Sequence, residues 1–146
     1  MFERAAADLV LRALLETDDA PGGDLLVFLP GAGEIARVEA LLAGRAPGVA
    51  IMALHGSLPF ARQRAALAPD PQGRRRVVLA TAIAETSLTV EGVRVVVDAG
   101  RARRARVNPA TGMGRLVTVP VSRAEAEQRR GRAGRLGPGV CYRLWT

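Results

Sequence analysis

Four short apolar runs, at residues 25–29, 49–54, 76–80 and 93–97, constrain this chain's fold more than any other feature. The first, Leu25-Leu-Val-Phe-Leu29, is unbroken and ends at Pro30-Gly31, the mark of a strand buried on both faces. Between the runs lie segments of helical character. Residues 2–16 carry good helix formers with apolar positions at Leu9, Val10, Ala13 and Leu14, and Ile35, Val38, Leu41 and Leu42 keep helical spacing. Residues 59–67 read as a third helix, whereas 18–24 and 69–73 carry loop and turn chemistry. Strands alternating with helices at this rhythm require crossover units, hence an α/β fold with a doubly wound, mostly parallel sheet.

Beyond residue 100 the pattern changes. Residues 101–107 alternate charged and small side chains, Asn108-Pro-Ala-Thr-Gly112 supplies a turn, and 115–119 is β-prone. The simplest reading is a projecting β-hairpin that displays arginines, inserted at about 101–119 in one domain covering 1–146. Residues 140–144 read as a last strand, and no internal repeat or low-complexity segment interrupts the chain.

Charge narrows the function. The net charge is +7, and residues 101–135 hold ten arginines against Glu125 and Glu127, a surplus of +8. The rest of the chain is nearly balanced, so one segment is built to meet phosphates. No run approaches the length of a membrane span, and the N-terminus does not read as an export signal, so a cytoplasmic protein is expected. The lone Cys141 has no internal disulfide partner and sits in a strand-like run, which favours packing over chemistry. One His and one Cys make no metal-binding set.

Within the basic segment, Gln128-Arg-Arg-Gly-Arg-Ala-Gly-Arg135 is the densest stretch. Ser122 and Glu125 form a capping-box pair, so a helix is expected from Arg123. On a continuous helix Gln128, Arg132 and Arg135 share one face, while Arg129 and Arg130 point elsewhere. A solvated basic helix would look similar. Gly131 and Gly134, each costing roughly 1 kcal/mol of helix stability, instead favour a surface that a polyphosphate approaches closely.

Three shorter motifs end strands. Gly31-Ala-Gly33-Glu-Ile-Ala36 matches the dinucleotide fingerprint in form, but the acid expected at the end of the following strand is His55, which disfavours a nicotinamide or flavin site. His55, before Gly56-Ser57, stands where open α/β sheets bind ligands, and it fits a structural role as well as a phosphate contact. Residues 80–89 place Thr81, Glu85, Thr86, Ser87 and Thr89 after another strand. Turn and cap chemistry or donors to phosphate and ribose both fit, and spacing does not choose between them.

Together these stretches resemble the second RecA-like domain of superfamily-two helicases, specifically the DEAH-box RNA helicases. Residues 25–31 with Glu34-Ile35 resemble their motif IV, Leu54-His-Gly-Ser-Leu58 the next block, residues 80–89 motif V, and 128–135 motif VI. The motifs keep the family's order over nearly the whole chain, and Asn108-Pro-Ala-Thr-Gly-Met-Gly-Arg-Leu116 with the Pro71-Gln-Gly73 turn looks most like the bacterial HrpB-type branch. The resemblance implies ATP in a cleft between two RecA-like lobes. Arg132 and Arg135 would be arginine fingers on the γ-phosphate, with Gln128 near the attacking water or the phosphate. Thr89, Glu91 and the position of Leu67 would face the nucleotide. Gly31, His55, Ser57 and Thr81 would touch the RNA backbone, and the hairpin, with Arg103, Arg104 and Arg106, would wedge against a duplex.

Three positions depart from the family pattern. Ala82 replaces a usual Asn, Leu67 stands where many relatives stack a Phe on the base, and Glu91 replaces an Asp. Leu67 offers no π face, so weak choice among nucleotides is expected. The chain has neither a Gly-x-x-x-x-Gly-Lys-Ser/Thr loop nor an Asp-Glu-x-His motif, so the resemblance implies that the phosphate cradle and the magnesium ligands would come from an N-terminal lobe. Alone it should not hydrolyse ATP. The competing readings are a non-catalytic nucleic-acid-binding module and a lobe of a DNA helicase; the basic segment suits all three.

Overall fold

A computed structural model describes residues 2–19, 22–85, 88–107, 110, 112, 114–134 and 139–144. The apolar runs form the strands of a five-stranded, all-parallel sheet: β1 (Asp24–Phe28), β2 (Val49–Leu54), β3 (Arg75–Ala80), β4 (Val93–Asp98) and β7 (Val140–Arg143). Their order is β2-β3-β1-β4-β7, with β1 at the centre. Both faces of β1 are buried, which is why its sequence is unbroken apolar rather than alternating. Leu25, Val27 and Leu29 face one core cluster, with Val10 and Ala13 of α1 (Phe2–Glu16) and Ile35, Val38 and Leu42 of α2 (Ala32–Leu42). Leu26 and Phe28 face the other, with Ala66 of α3 (Phe60–Leu67), Ala84 and Ala133.

Strand order also decides the fingerprint question. β2 follows β1 in sequence but lies two places away, with β3 between them. A dinucleotide-binding unit needs those two strands adjacent, so topology removes the nicotinamide reading on its own terms. β1 and β3 are neighbours whose chains leave toward opposite faces, α2 on the first cluster and the 82–84 turn on the second. Their carboxyl ends therefore flank a switch point, where open α/β sheets bind ligands.

The ladder continues past the strand ends. Thr81 N donates to Leu54 O, Leu29 N to Ala80 O, Ala99 N to Phe28 O and Leu144 N to Asp98 O. One carboxyl edge thus carries, in order, His55, Thr81, Gly31 and the root of the hairpin. At ~4.8 Å per strand spacing, that edge runs about 15 Å from β2 to β4. The hairpin is β5 (Arg101–Val107) paired antiparallel with β6 (Gly114–Pro120) as a separate two-stranded sheet. Of the expected turn segment 108–112, Ala110 and Gly112 are within the described residues, while 108, 109 and 111 lie outside them. Cys141, in β7, is half-buried, and burial pushes its thiol above the ordinary range, as packing rather than reactivity requires.

At the amino edge one apolar run hides a charge. Arg76 is fully buried; its Nε donates to Asp24 Oδ2 at 2.9 Å, Nη1 to Ala66 O at 2.6 Å and Nη2 to Glu91 O at 2.5 Å. It joins the start of β1, the end of α3 and the loop before β4. Arg76→Met would keep the packing and strip three acceptors of their donor. The expected loss is about 3–5 kcal/mol, read as a lowered urea midpoint; an unchanged midpoint would show the cluster to be dispensable.

Candidate nucleotide pocket and nucleic-acid edge

The loop before β4 is held from below. Glu91 N donates to Leu67 O at 3.0 Å, Asp24 N donates to Gly92 O at 2.9 Å, and Arg76 holds the Glu91 carbonyl. Gly92 has φ +81°, and a Cβ there would meet Asp24 Oδ2 at 3.1 Å, so the sharp turn needs glycine. Above this loop opens a cavity of ≈ 630 Å³ lined by Pro69, Thr89, Val90, Glu91, Gly92, Val93 and Arg132. Its size suits a nucleotide-scale ligand. Thr89 and Glu91 are exposed, and apolar Val90 and Val93 line the same cavity. Leu67 does not line it: its side chain packs against the second core cluster, and it contributes a carbonyl instead.

Arg132 reaches the pocket from α4 (Arg123–Gly131). The capping box forms as the sequence requires: Ser122 Oγ accepts from Glu125 N at 3.1 Å, and Glu125 Oε1 accepts from Ser122 N at 2.8 Å. The helix ends at Gly131, however, and residues 132–134 form a 3-10 turn. That corrects the expectation of one continuous helical face for Gln128, Arg132 and Arg135. Helix ends commonly tighten this way, and the tightened turn buries Ala133 in the second core cluster. Gln128 is exposed and does not line the pocket, while Arg135 lies outside the described residues. Arg132 Nη2 donates to the carbonyl of Glu85.

Arg129 turns inward and is fully buried. Its Nε donates to Glu85 Oε2 at 2.7 Å and its Nη1 to Asp98 Oδ1 at 2.8 Å, and both Nη atoms approach Arg101 O at 3.4 Å. The guanidinium lies over the Phe28 ring, 4.8 Å from its centroid. Arg130 faces the solvent and pairs with Glu127 at 2.7 Å.

At the carboxyl edge, His55 Nδ1 accepts from Ser57 N at 3.3 Å, so the neutral ring carries its proton on Nε2, as a donor. Ser57 is exposed. Thr81 precedes the 3-10 turn Ala82–Ala84 without a side-chain cap bond, and Thr86 and Ser87 lie outside the described residues. Gly31 is buried beneath another side chain. A Cβ on it would meet Arg103 Nη1 at 2.9 Å and Glu34 Oε1 at 3.2 Å. Arg103 Nη2 itself donates to Glu34 Oε2 at 2.6 Å and to Thr118 Oγ1 at 3.3 Å. Gly31 therefore admits the ion pair that docks the hairpin on α2. Arg104 and Arg106 lie in β5 opposite Val117 and Arg115, and their side chains are outside the described set.

The structure thus brings Thr89, Glu91 and Arg132 together, and it places Gly31, His55, Ser57 and Thr81 along one edge. Sequence reasoning missed the pairing groups Asp24, Glu34, Glu85 and Asp98. The available signal was a charged residue, Arg76 or Asp98, at the border of an apolar strand run. Among the described residues no group of three or more His, Cys, Asp or Glu is placed to hold a metal ion, and no helix is long and apolar enough to cross a membrane.

Gly31→Ala tests the hairpin docking. The clash falls on the far end of a flexible side chain, so the fold should survive with a loss of about 1 kcal/mol or less, while amide exchange in β5 and β6 should quicken. Unchanged exchange would show that the Arg103–Glu34 pair does not hold the hairpin.

Known proteins share this fold. The helicase conserved C-terminal domain family matches residues 6–137. The ATP-dependent RNA helicase HrpB of Escherichia coli (strain K12) is 52% identical over 138 residues, spanning 94% of this chain and 17% of that protein. The pre-mRNA-splicing factor ATP-dependent RNA helicase prp22 of Schizosaccharomyces pombe is 42% identical over 147 residues, spanning 95% of this chain and 13% of that protein. The crystal structure of the E. coli DExH-box NTPase HrpB superposes with a TM-score of 0.91 at 49% identity, covering all of this chain and 18% of that one. The fold is RecA-like, and the chain spans less than a fifth of the length of these relatives. A family match over most of the sequence, with the same fold, identifies the chain as a member of the helicase conserved C-terminal domain family.

Proposed function

We propose that this chain is the C-terminal motor lobe of an ATP-dependent RNA helicase, supplying an arginine finger to a nucleotide held chiefly by an N-terminal RecA-like lobe. The observation that carries this reading is the shared pocket of Arg132, Thr89 and Glu91. Phosphoryl transfer gains mainly from positioned positive charge, and a guanidinium offers planar, bidentate donors to phosphoryl oxygens. Thr89 and Glu91 supply oxygens suited to ribose hydroxyls. Arg135 is proposed as the second finger and Gln128 as the group nearest the attacking water. Magnesium and the phosphate cradle fall to the other lobe, where they would neutralise the charge of the β- and γ-phosphates.

RNA is proposed to run along the carboxyl edge, where His55, Ser57 and Thr81 meet a backbone and Gly31 with the Arg103–Glu34 pair forms the floor beneath the hairpin. Arg104 and Arg106 belong to the hairpin that would meet the duplex. The +8 surplus of residues 101–135 supports the reading. Single-strand affinity should fall with salt at a slope near −0.7 per phosphate neutralised, so a salt-independent filter-binding titration on the full-length protein would remove it.

In the full-length protein, Arg132→Ala should lower RNA-stimulated ATP turnover by about 10³-fold or more and leave nucleotide-free RNA affinity within about twofold. Unchanged turnover would sink the finger assignment. The isolated chain should show no ATP hydrolysis above buffer in a phosphate-release assay; measurable turnover by it would refute the division of labour between lobes.

A further inference from the structure

We propose that Arg129 is a positioning residue: its buried ion cluster with Glu85 and Asp98 aims Arg132 at the nucleotide pocket and fixes that aim to the root of the hairpin. The inference rests on the reading of Arg132 as a nucleotide-facing group. Its ground is a connection made through one residue. Glu85 receives Arg129 on its carboxylate and Arg132 on its main-chain carbonyl, so both arginines are referenced to the same point.

The other arms of Arg129 reach Asp98, at the end of β4, and Arg101 O, where the hairpin begins. Val121 N donates to Gly100 O at 2.9 Å, so the chain re-enters α4 beside that root. From Arg123 to Arg132 the helical rise spans about 13 Å. α4 therefore connects the nucleic-acid edge to the nucleotide pocket, and Arg129 is its only fully buried charged residue. A fully buried guanidinium held by two carboxylates and a ring face has one low-energy orientation, and it fixes the rotation of the helix about its axis. Rotating α4 to swing Arg132 away would break charge-assisted bonds in a site without solvent. The cluster holds two carboxylates to one guanidinium. Neutralising either acid leaves one carboxylate matched to the guanidinium, so Glu85→Gln and Asp98→Asn keep the shape of the cluster while weakening one of its charge-assisted bonds.

The test uses the full-length protein with Arg129→Lys, Glu85→Gln and Asp98→Asn, each alone and combined with Arg132→Ala. Lysine keeps the charge but cannot span both carboxylates and the Arg101 carbonyl. Misplacement of this order should lower kcat for ATP by about 10- to 100-fold, with the KM for RNA unchanged. In the Arg132→Ala background the same substitutions should have no further effect on kcat, because their only route to catalysis has gone. Wild-type kcat in folded single variants, or losses that add to that of Arg132→Ala, would overturn the proposal. Unfolding of both neutralised variants would also overturn it, by assigning the cluster to the fold alone. If Arg132→Ala itself keeps full turnover, the nucleotide reading falls and takes this inference with it. If that variant is inactive while the others turn over normally, only this inference fails.

Discussion

The burial of Arg129 is the constraint around which the second face of the molecule is arranged. A guanidinium removed from water costs several kcal/mol unless its donors are met and its charge is balanced. Here that demand draws four pieces of chain to one point: the 82–84 turn through Glu85, the end of β4 through Asp98, the hairpin root through Arg101 O, and β1 through the Phe28 ring. Apart from Asp98 and Arg101, which flank the same short turn, these pieces are distant in sequence. Their meeting decides which side of α4 faces the sheet, and hence which arginines remain for ligands.

A second buried guanidinium performs a similar task at the other end of the sheet. Arg76 ties Asp24, Ala66 and Glu91, and so sets the height of the loop that floors the pocket. The two clusters are built alike, with carboxylates and main-chain carbonyls around a planar cation, as suits a group with five donors in a fixed fork. Between them lie valines and leucines that pack but do not direct. Apolar burial makes the layers; the two arginines say where the loops and the last helix must sit.

This also changes how the chain's basic character is understood. Arg76 and Arg129 are wholly buried and Arg103 is engaged by Glu34, while Arg130 faces solvent beside Glu127. Net charge counts all of them alike, yet only the outward ones add to a field that attracts phosphates. The arginine count therefore exceeds the charge available to a ligand, and the carboxylates at 34, 85 and 98 are the reason.

The sequence alone determined the layers. Short apolar runs bounded by turn signals fit strands of a covered sheet, and helical spacing between them implies crossovers, so the parallel sheet, its strands and the capped start at Arg123 were legible to within a residue or two. The motif order also made the family legible. Only the tertiary structure decided which arginines are structural and which face a ligand. Periodicity put Gln128, Arg132 and Arg135 on one helical face, but the helix tightens after Gly131 into a 3-10 turn that buries Ala133 and brings Arg132 to the Glu85 carbonyl. Likewise Gly31 read as a backbone free to meet phosphate, and it proved to be the floor under Arg103 and Glu34. Pairing across 44 or 69 residues leaves no trace in local spacing, since it depends on where strands β1, β3 and β4 come to lie side by side.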